Sequence, residues 1–102
     1  MDLVIKVLIV DEHRIAHIAR HQVTVGEVQE IISGDYVYIK AREDRWLVIG
    51  ETKTGRLLTV VVGERSERGS YGLVTARPSS REERSFYREM VLGQGGEGVD
   101  KD

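Results

Sequence analysis

The 102-residue sequence has no cysteine, a single proline, one tryptophan and one phenylalanine. The absence of cysteine excludes a disulfide framework and a thiolate-bound metal. Apolar runs are short, and the run at residues 57–62 is far from the length that crosses a bilayer. The opening MDLVIKVLIVDEH has no basic region before its apolar run, so we expect no secretory signal. These absences predict a cytoplasmic protein with no membrane partner.

Strong charge of one sign is also missing, since the formal net charge is only −2. The charge is nevertheless unevenly distributed. Residues 1–39 carry three Lys/Arg against six Asp/Glu, residues 40–88 eleven against seven, and residues 89–102 one against four. Proteins that bind nucleic acid electrostatically are usually strongly basic. A basic middle between acidic ends therefore permits an RNA or phosphate site without demonstrating one.

The N-terminal third of the chain has the periodicity of one strand and two helices. Residues 3–10, LVIKVLIV, are rich in β-branched side chains and predict a buried strand. A short helix is predicted to follow, to about Arg20. Thr24 and Glu27 have the spacing of a capping box, which predicts the start of a second helix. Gly34 is expected to end that helix.

From Gly34 onward the apolar pattern changes from a period of 3.6 residues to a period of 2. This pattern predicts four strands, at residues 36–42, 46–51, 56–63 and 71–76. Because RLLTVVVG at 56–63 is nearly all apolar in its middle, we expect this strand to be central. The short links between the four strands predict an antiparallel meander. A final helix is expected to start at Ser79 or Ser80.

The predicted fold class is α+β with the element order β-α-α-β-β-β-β-α. We expect an antiparallel sheet whose helices pack on one face, and the position of the first strand in that sheet is open. Residues 1–92 are predicted to form one domain, and the Gly-rich acidic segment 93–102 is expected to be disordered. A free edge of such a sheet could pair with a second copy of the chain, so a homodimer is compatible with the sequence.

The segment TARPSSREERSFYRE, residues 75–89, combines the end of a strand with the start of a helix. Its Arg77, Glu83 and Tyr87 are spaced so that they can converge near the helix N-terminus. There a guanidinium and backbone amides can bind a phosphate, and a carboxylate can accept a proton from a ribose 2′-hydroxyl. The alternative is structural: Glu83 and Ser80 form a capping box, and the arginines are solvated.

The three histidines, His13, His17 and His21, recur every four residues on the first predicted helix. Such a stripe can bind a metal ion on one helix face. The segment lacks the glutamate of the H-E-x-x-H motif, so a polar helix face with His21 at its end is the simpler interpretation. We therefore predict no metal ligands, although a histidine can act as an acid or base without a metal.

Aromatic and basic side chains are interleaved on the first predicted hairpin, namely Tyr36, Tyr38, Lys40, Arg42, Arg45 and Trp46. Rings beside cations can stack on bases and bind phosphates. Tyrosines are equally ordinary strand formers, so a structural role accounts for the same pattern. Both interpretations stay open at the level of sequence.

Three stretches of the chain resemble the BrnT family of bacterial type II toxins, which are small ribonucleases with a fold like that of the RelE toxins. They are IVDEHRIAHIARHQVTVGEV (9–28), RWLVIGETKTGRLLTVVV (45–62) and VTARPSSREERSFYRE (74–89). The third is the most specific, because Ala76, Arg77, Glu83 and Tyr87 fall in register with the family pattern A-R-x-A-x-x-x-E-x-x-x-Y. One departure is Gln22, which stands where the family has a glycine after the turn histidine.

The resemblance implies a toxin that cleaves RNA by attack of the 2′-hydroxyl, needs no metal or other cofactor, and is held inactive by a cognate antitoxin protein. By position, Arg77 would contact the scissile phosphate and His21 would correspond to the turn histidine. Glu83 and Tyr87 would complete the site. The basic residues expected to bind RNA are Lys40, Arg42, Arg45, Arg81 and Arg84. The alternative is a catalytically inactive module of the same fold that binds a small DNA-binding protein.

Overall fold

A computed structural model describes residues 3–95, and it confirms the predicted order of elements. The elements are β1 (Val7–Ile9), α1 (Glu12–Ala19), α2 (Val25–Ser33), β2 (Tyr36–Arg42), β3 (Arg45–Glu51), β4 (Leu57–Glu64), β5 (Ser70–Pro78) and α3 (Arg81–Gly95). The four strands of the meander begin and end within two residues of their predicted positions. Period-2 patterning bounded by turn residues was therefore sufficient to locate them.

The five strands form one sheet in the order β1-β5-β4-β3-β2. Strands β2 to β5 are an antiparallel meander, and β4 is central, both as predicted. The expectation of a purely antiparallel sheet is wrong, because β1 pairs in parallel with β5, Val7 opposite Ser70. Short turns force antiparallel pairing only between consecutive strands. Two helices separate β1 from β2, so β1 is free to join the far edge of the sheet.

Helices α1 and α2 cover one face of this sheet. Ile18 of α1 and Ile31 of α2 are almost completely buried there, in one cluster with Val48 of β3 and Val60 of β4. On β4 the side chains of that face alternate with those of the other, and Leu58, Val60 and Val62 are all fully buried. This cluster is the main hydrophobic core, and both helices contribute the apolar side chains of their sheet-facing sides to it.

Helix α3 lies against the opposite face, so the expectation that all helices pack on one face is wrong. Thr59 lies between Leu58 and Val60 in β4, so its side chain points to the face opposite the main core. There it is fully buried, and its hydroxyl donates to Glu83 of α3. Ile49, on the same side of the sheet as Thr59, is also fully buried. Only residues 79–80 link β5 to α3, and so short a link can lead over either face. Amphipathic spacing tells which side of α3 is apolar, not which face of the sheet it covers.

Helix α3 continues to Gly95, three residues past the domain boundary predicted after residue 92. The remainder of the segment expected to be disordered, residues 96–102, lies outside the described residues. Within residues 3–95, none of the helices combines the length and hydrophobicity needed to span a membrane.

The turn after α1 is a Schellman motif, in which two backbone amides reach back to helix carbonyls. The amide of Val23 donates to the carbonyl of Ile18 at 3.1 Å, and that of Gln22 to Ala19 at 2.9 Å. Val23 and Ile18 are both buried, which supplies the apolar contact usual for this motif. Gln22 has a φ of 64°, the left-handed conformation that glycine adopts without strain. The left-handed backbone conformation at this position thus explains why the family pattern has a glycine here.

Replacing Gln22 by glycine should raise the free energy of unfolding by about 0.5–1 kcal/mol, because a side chain in the left-handed region costs about 1 kcal/mol or more. Urea denaturation would measure the change. Gln22→Ala is the matched control and should be nearly neutral, since alanine keeps a Cβ in the same conformation. Equal destabilisation by both substitutions would contradict the strain argument.

Candidate active site

The junction between β5 and α3 brings Arg77, Ser80 and Glu83 into one hydrogen-bonded network. Ser80 and Glu83 form the predicted capping box: the amide of Ser80 donates to Glu83 Oε1 at 2.8 Å, and the amide of Glu83 donates to Ser80 Oγ at 3.2 Å. The cap turns the Glu83 carboxylate back towards β5, where Arg77 is the last residue but one of the strand. The structural interpretation of Glu83 and its placement beside Arg77 are therefore both correct.

Arg77 and Glu83 form a bidentate ion pair. Arg77 Nη1 donates to Oε1 at 2.8 Å and Nη2 donates to Oε2 at 2.9 Å. The Glu83 side chain is 12% exposed and the Arg77 side chain 35% exposed. Two parallel charge-assisted bonds fix the plane of the guanidinium as well as its position. Arg77 is thus oriented before any ligand arrives.

Two hydroxyls below the ion pair complete the network from the sheet. Thr59 Oγ1 donates to Glu83 Oε1 at 2.8 Å and lies 2.8 Å from Ser79 Oγ. Thr59 and Ser79 are both buried. The sequence pattern predicted this role for neither residue. The available signal was one threonine within the otherwise apolar LLTVVV of β4, since a buried hydroxyl needs a partner.

This environment keeps Glu83 strongly anionic. The bond from Arg77, assisted by those from Ser80 and Thr59, lowers the pKa of the Glu83 carboxyl to about 2, against the raising effect of burial. A carboxylate with so low a pKa is a weak proton acceptor at neutral pH. The bidentate bond to Arg77, together with this low pKa, therefore favours a positioning role for Glu83 over a role as a general base.

Arg77 retains a free side for binding. Its Nε–H and the second Nη2–H make no hydrogen bond with any other residue of the described chain, whereas Nη1 also approaches the carbonyl of Pro78 at 3.4 Å. These two donors lie side by side on the edge of the guanidinium that Glu83 does not occupy. A pair of parallel N–H groups matches two oxygens of a phosphate.

Tyr87 lies one helical turn after Glu83 and lines a neighbouring cavity rather than the ion pair itself. The cavity is formed with the start of β2, including Asp35 and Tyr36. Burial raises the pKa of the Tyr87 hydroxyl, and the negative charges of Glu51 and Asp35 raise it further. The phenol is therefore protonated at neutral pH and acts as a hydrogen-bond donor.

His21 is not joined to this network. It follows α1 at the Schellman turn, is exposed, and its ring contacts His17 edge to face at 5.4 Å. Nothing among the described contacts links its side chain to the Arg77–Glu83 pair. Across residues 3–95, no three His, Asp or Glu side chains are grouped so that they could hold a metal ion.

The predicted RNA-binding residues fall into two groups. Arg81 begins α3 and is exposed, and Arg84 donates from Nη1 to the carbonyl of Ser79 at 2.8 Å, so both lie at the helix start. Lys40, Arg42 and Arg45 lie towards the other end of the sheet. Arg45 pairs with Gly63 of β4, whereas Arg77 pairs with Thr59 of the same strand. These two positions are four residues apart, which is about 13 Å along the strand.

The aromatic and basic pattern on β2 and β3 has a structural use at that far end. Lys40 Nζ lies 4.5 Å from the centre of the Trp46 ring and 3.0 Å from Glu64 Oε2. Trp46 Nε1 donates to the same carboxylate at 3.1 Å. Trp46 is only 8% exposed, so its ring is not available to stack on a base. The pattern is accounted for here by a cation–π contact and a shared carboxylate.

Comparison with known proteins gives one family and one fold. Residues 11–83 match the family described as "Ribonuclease toxin, BrnT, of type II toxin-antitoxin system". The structure is similar to the crystal structure of the Brucella abortus ribonuclease toxin BrnT, with a TM-score of 0.58 and 19% sequence identity, over 74% of this chain and 100% of that one. Among curated proteins none matches. Because the structural match is to a BrnT toxin, BrnT-like describes this fold better than the RelE-like label.

Proposed function

Since this chain belongs to the BrnT family of ribonuclease toxins of type II toxin–antitoxin systems, we propose that it cleaves RNA at the β5–α3 junction by attack of a ribose 2′-hydroxyl. The observation that carries the proposal is the oriented guanidinium of Arg77, with two parallel donors directed away from Glu83. Such a group can hold a phosphodiester and stabilise the charge that develops on it. The N-terminus of α3 beside it favours the same negative charge.

In the proposed reaction a bond forms between the ribose 2′-oxygen and the adjacent phosphorus, and the bond from phosphorus to the next 5′-oxygen breaks. One proton leaves the 2′-oxygen for solvent and one joins the 5′-oxygen. The products carry a 2′,3′-cyclic phosphate and a 5′-hydroxyl. Phosphoryl transfer of this kind depends mainly on positioning and charge stabilisation, which an oriented arginine supplies.

The roles of the neighbouring residues follow from their contacts. Glu83 positions Arg77 and does not contact the substrate itself, because both its oxygens already accept bonds. Arg81 and Arg84 at the helix start provide positive charge for flanking phosphates. Tyr87 is available to contact the nucleotide attached to the bound phosphate. The distant Lys40, Arg42 and Arg45 fit a longer RNA better than the scissile nucleotide.

The partner proposed from family membership is a cognate antitoxin protein, and the proposed location is the cytoplasm, where RNA and antitoxin are both present. A catalytically inactive module that binds such a protein shares the same fold and the same ion pair. The two functions differ in whether Arg77 contacts RNA. Their tests must therefore measure RNA chemistry rather than binding to a protein.

The reaction predicts that purified protein cleaves single-stranded RNA in the presence of a chelator and leaves 2′,3′-cyclic phosphate ends. An oligonucleotide of the same sequence with 2′-deoxyribose throughout should not be cleaved, because it lacks the attacking oxygen. Mass spectrometry of the fragments identifies the ends. Cleavage of the deoxy oligonucleotide would overturn the 2′-hydroxyl mechanism, and intact RNA in every condition would favour the inactive module.

A further inference from the structure

A small cavity lies where β4 ends and β5 begins, at the end of these strands far from Arg77. It has a volume of about 180 Å³, equal to roughly six water molecules of the liquid. Gly63 and Gly72 line it and lie directly opposite each other on the two strands. Because neither residue has a side chain, other groups can approach the backbone closely here.

Two arginines lie over these glycines from one side of the sheet. A methyl group at Gly72 would be 2.5 Å from Arg65 Nε and 2.6 Å from Nη2, so only glycine lets the Arg65 guanidinium lie there. A methyl group at Gly63 would be 4.0 Å from Arg45 Nε. Opposed residues of an antiparallel pair project to the same face. Arg45 and Arg65 therefore meet above the glycine pair.

A third arginine reaches the same cavity from α1. Arg14 lines it, and its Nη1 donates to the carbonyl of Val74 at 3.0 Å, which fixes the guanidinium at the cavity edge. The three side chains come from α1, β3 and the loop after β4. We refer to Arg14, Arg45 and Arg65 as the arginine cradle.

The cradle keeps donors for a ligand. Arg45 makes no side-chain hydrogen bond or ion pair with any residue in 3–95. Arg65 Nη2 lies 3.2 Å from Asp11 Oδ2, but these side chains are 42% and 48% exposed. An ion pair so accessible to water contributes little and can open for a stronger anion.

Two other acidic residues of the lining do not neutralise the cradle. The Glu64 carboxylate accepts bonds from Lys40 and Trp46, which hold it on the opposite face of the sheet. Asp44 presents its backbone carbonyl oxygen beside Gly63. Three guanidinium groups therefore face one nearby carboxylate, that of the Arg65 partner.

The cradle and the Arg77–Glu83 pair lie on the same face of the sheet. Arg77 is opposite Thr59 of β4, and Thr59 and Gly63 share a face because side chains alternate along the strand. About 13 Å separates the two positions, roughly two steps of an extended RNA backbone. Midway between them Val61 and Thr75 pair with each other and stay partly exposed. An open track along β4 and β5 thus joins the two sites.

We propose that the arginine cradle binds a second phosphate of the RNA strand whose scissile phosphate lies on Arg77. The proposal rests on the proposed ribonuclease function and adds how the substrate is held beyond the cleaved bond. Guanidinium donors suit phosphate oxygens, and the cavity has room for one such group. The spacing along one open face favours regularly spaced phosphates over a single acidic side chain. A phosphate contact sets register and affinity and reads no base.

The test uses a single-stranded RNA of roughly ten nucleotides, a common length for such binding sites. A 2′-O-methyl group at the cleavage position blocks the reaction, so affinity is measured alone. Arg45→Ala should weaken binding about tenfold, the effect of one hydrogen-bonded contact to a charged group. The plot of log affinity against log salt should become shallower by about 0.7, the value for one phosphate of a single strand.

Arg20→Ala is the matched control, because it removes the same charge from an exposed arginine at the far end of α1. It should change neither the affinity nor the salt dependence. Arg14 is kept in every variant, since its bond to the Val74 carbonyl also supports the fold.

Replacing single phosphates by uncharged methylphosphonates locates the contact. In the wild type, neutralising the second phosphate from the cleaved bond should weaken binding as much as Arg45→Ala does. In Arg45→Ala the same replacement should have little further effect, whereas replacements at other positions should add to that of the variant.

Wild-type affinity in Arg45→Ala, or additive losses at every phosphate, would overturn the proposal. The blocked RNA reports binding and unmodified RNA reports cleavage, so the two proposals fail separately. Cleavage by a protein whose RNA affinity does not depend on Arg45 would leave the ribonuclease and remove the cradle. Binding that depends on Arg45 and one phosphate, without cleavage of unmodified RNA, would support the cradle and remove the ribonuclease. Absence of RNA binding by the wild type would overturn the proposal and leave the cradle to an acidic protein partner.

Discussion

Arg77→Ala is expected to reduce RNA cleavage about 100-fold or more, which is the cost of removing one group that stabilises developing charge in an active site. Among the described residues of this junction, the Arg77 guanidinium is the one cation whose plane is set by two bonds to a carboxylate. Its remaining paired donors face away from that carboxylate, where a phosphate would bind. Alanine removes both donors and the charge together.

Arg77→Lys distinguishes geometry from charge. Lysine keeps the charge but has no planar fork, so we expect it to recover only a small part of the cleavage rate. Arg68→Ala is the matched control, because Arg68 is an exposed arginine that makes no hydrogen bond or ion pair within residues 3–95. The readouts are the cleavage rate of purified protein and growth arrest on induced expression in a bacterial host.

Cleavage by Arg77→Ala at the wild-type rate would remove Arg77 from the site and, with it, the proposed mechanism. Because this substitution leaves Glu83 without its main partner, cleavage is compared at a temperature where circular dichroism shows both proteins folded. Growth arrest that persists in Arg77→Ala without RNA loss would indicate an action other than cleavage.

Glu83→Gln should lower the free energy of unfolding by about 2 kcal/mol, a figure already reduced because the Arg77 side chain is 35% exposed. For a domain of this size the loss corresponds to roughly 10 °C in Tm. The neutral amide cannot return two charge-assisted bonds to the guanidinium, and its amino group opposes the hydroxyl of Thr59. The expected loss of cleavage is an indirect effect, through the orientation of Arg77.

The same substitution should remove a pH dependence of stability. The pKa of Glu83 falls from an ordinary 4.5 to about 2 on folding, so the unfolded chain takes up this proton at a higher pH. The stabilisation is complete above about pH 5 and is lost as the pH falls towards 2. Glu27, whose pKa its capping bond to Thr24 also lowers, contributes in the same direction and remains in the variant.

Chemical denaturation between pH 7 and pH 3 checks both expectations. The difference in stability between wild type and Glu83→Gln should shrink as the pH is lowered. Glu82→Gln, a change in the exposed neighbour on the same helix turn, should leave stability and its pH dependence close to those of the wild type. A difference that stays constant over this range would show that Glu83 is not held by the ion pair.

Local signals predicted much of this molecule because the forces behind them act between neighbours in sequence. Period-2 patterning located β2 to β5, and the spacing of Ser80 and Glu83 predicted a capping box that the structure contains. The register of Arg77, Glu83 and Tyr87 with the family pattern identified the family. Spacing did not separate Arg77 as a phosphate ligand from Arg77 as the partner of a helix cap, and the structure shows the second of these contacts, with Glu83.

The sequence by itself determined the elements, their order, the central strand and the family, since each depends on local periodicity, turn length or motif register. Only the tertiary structure decided that β1 joins β5 in parallel and that α3 covers the second face. It also decided that Thr59 supports Glu83 from a strand twenty-four residues away in sequence, and that Asp35 and Tyr87 share a cavity. Such contacts join segments distant in sequence. They depend on how all the apolar faces are buried together, and no single stretch of residues specifies that.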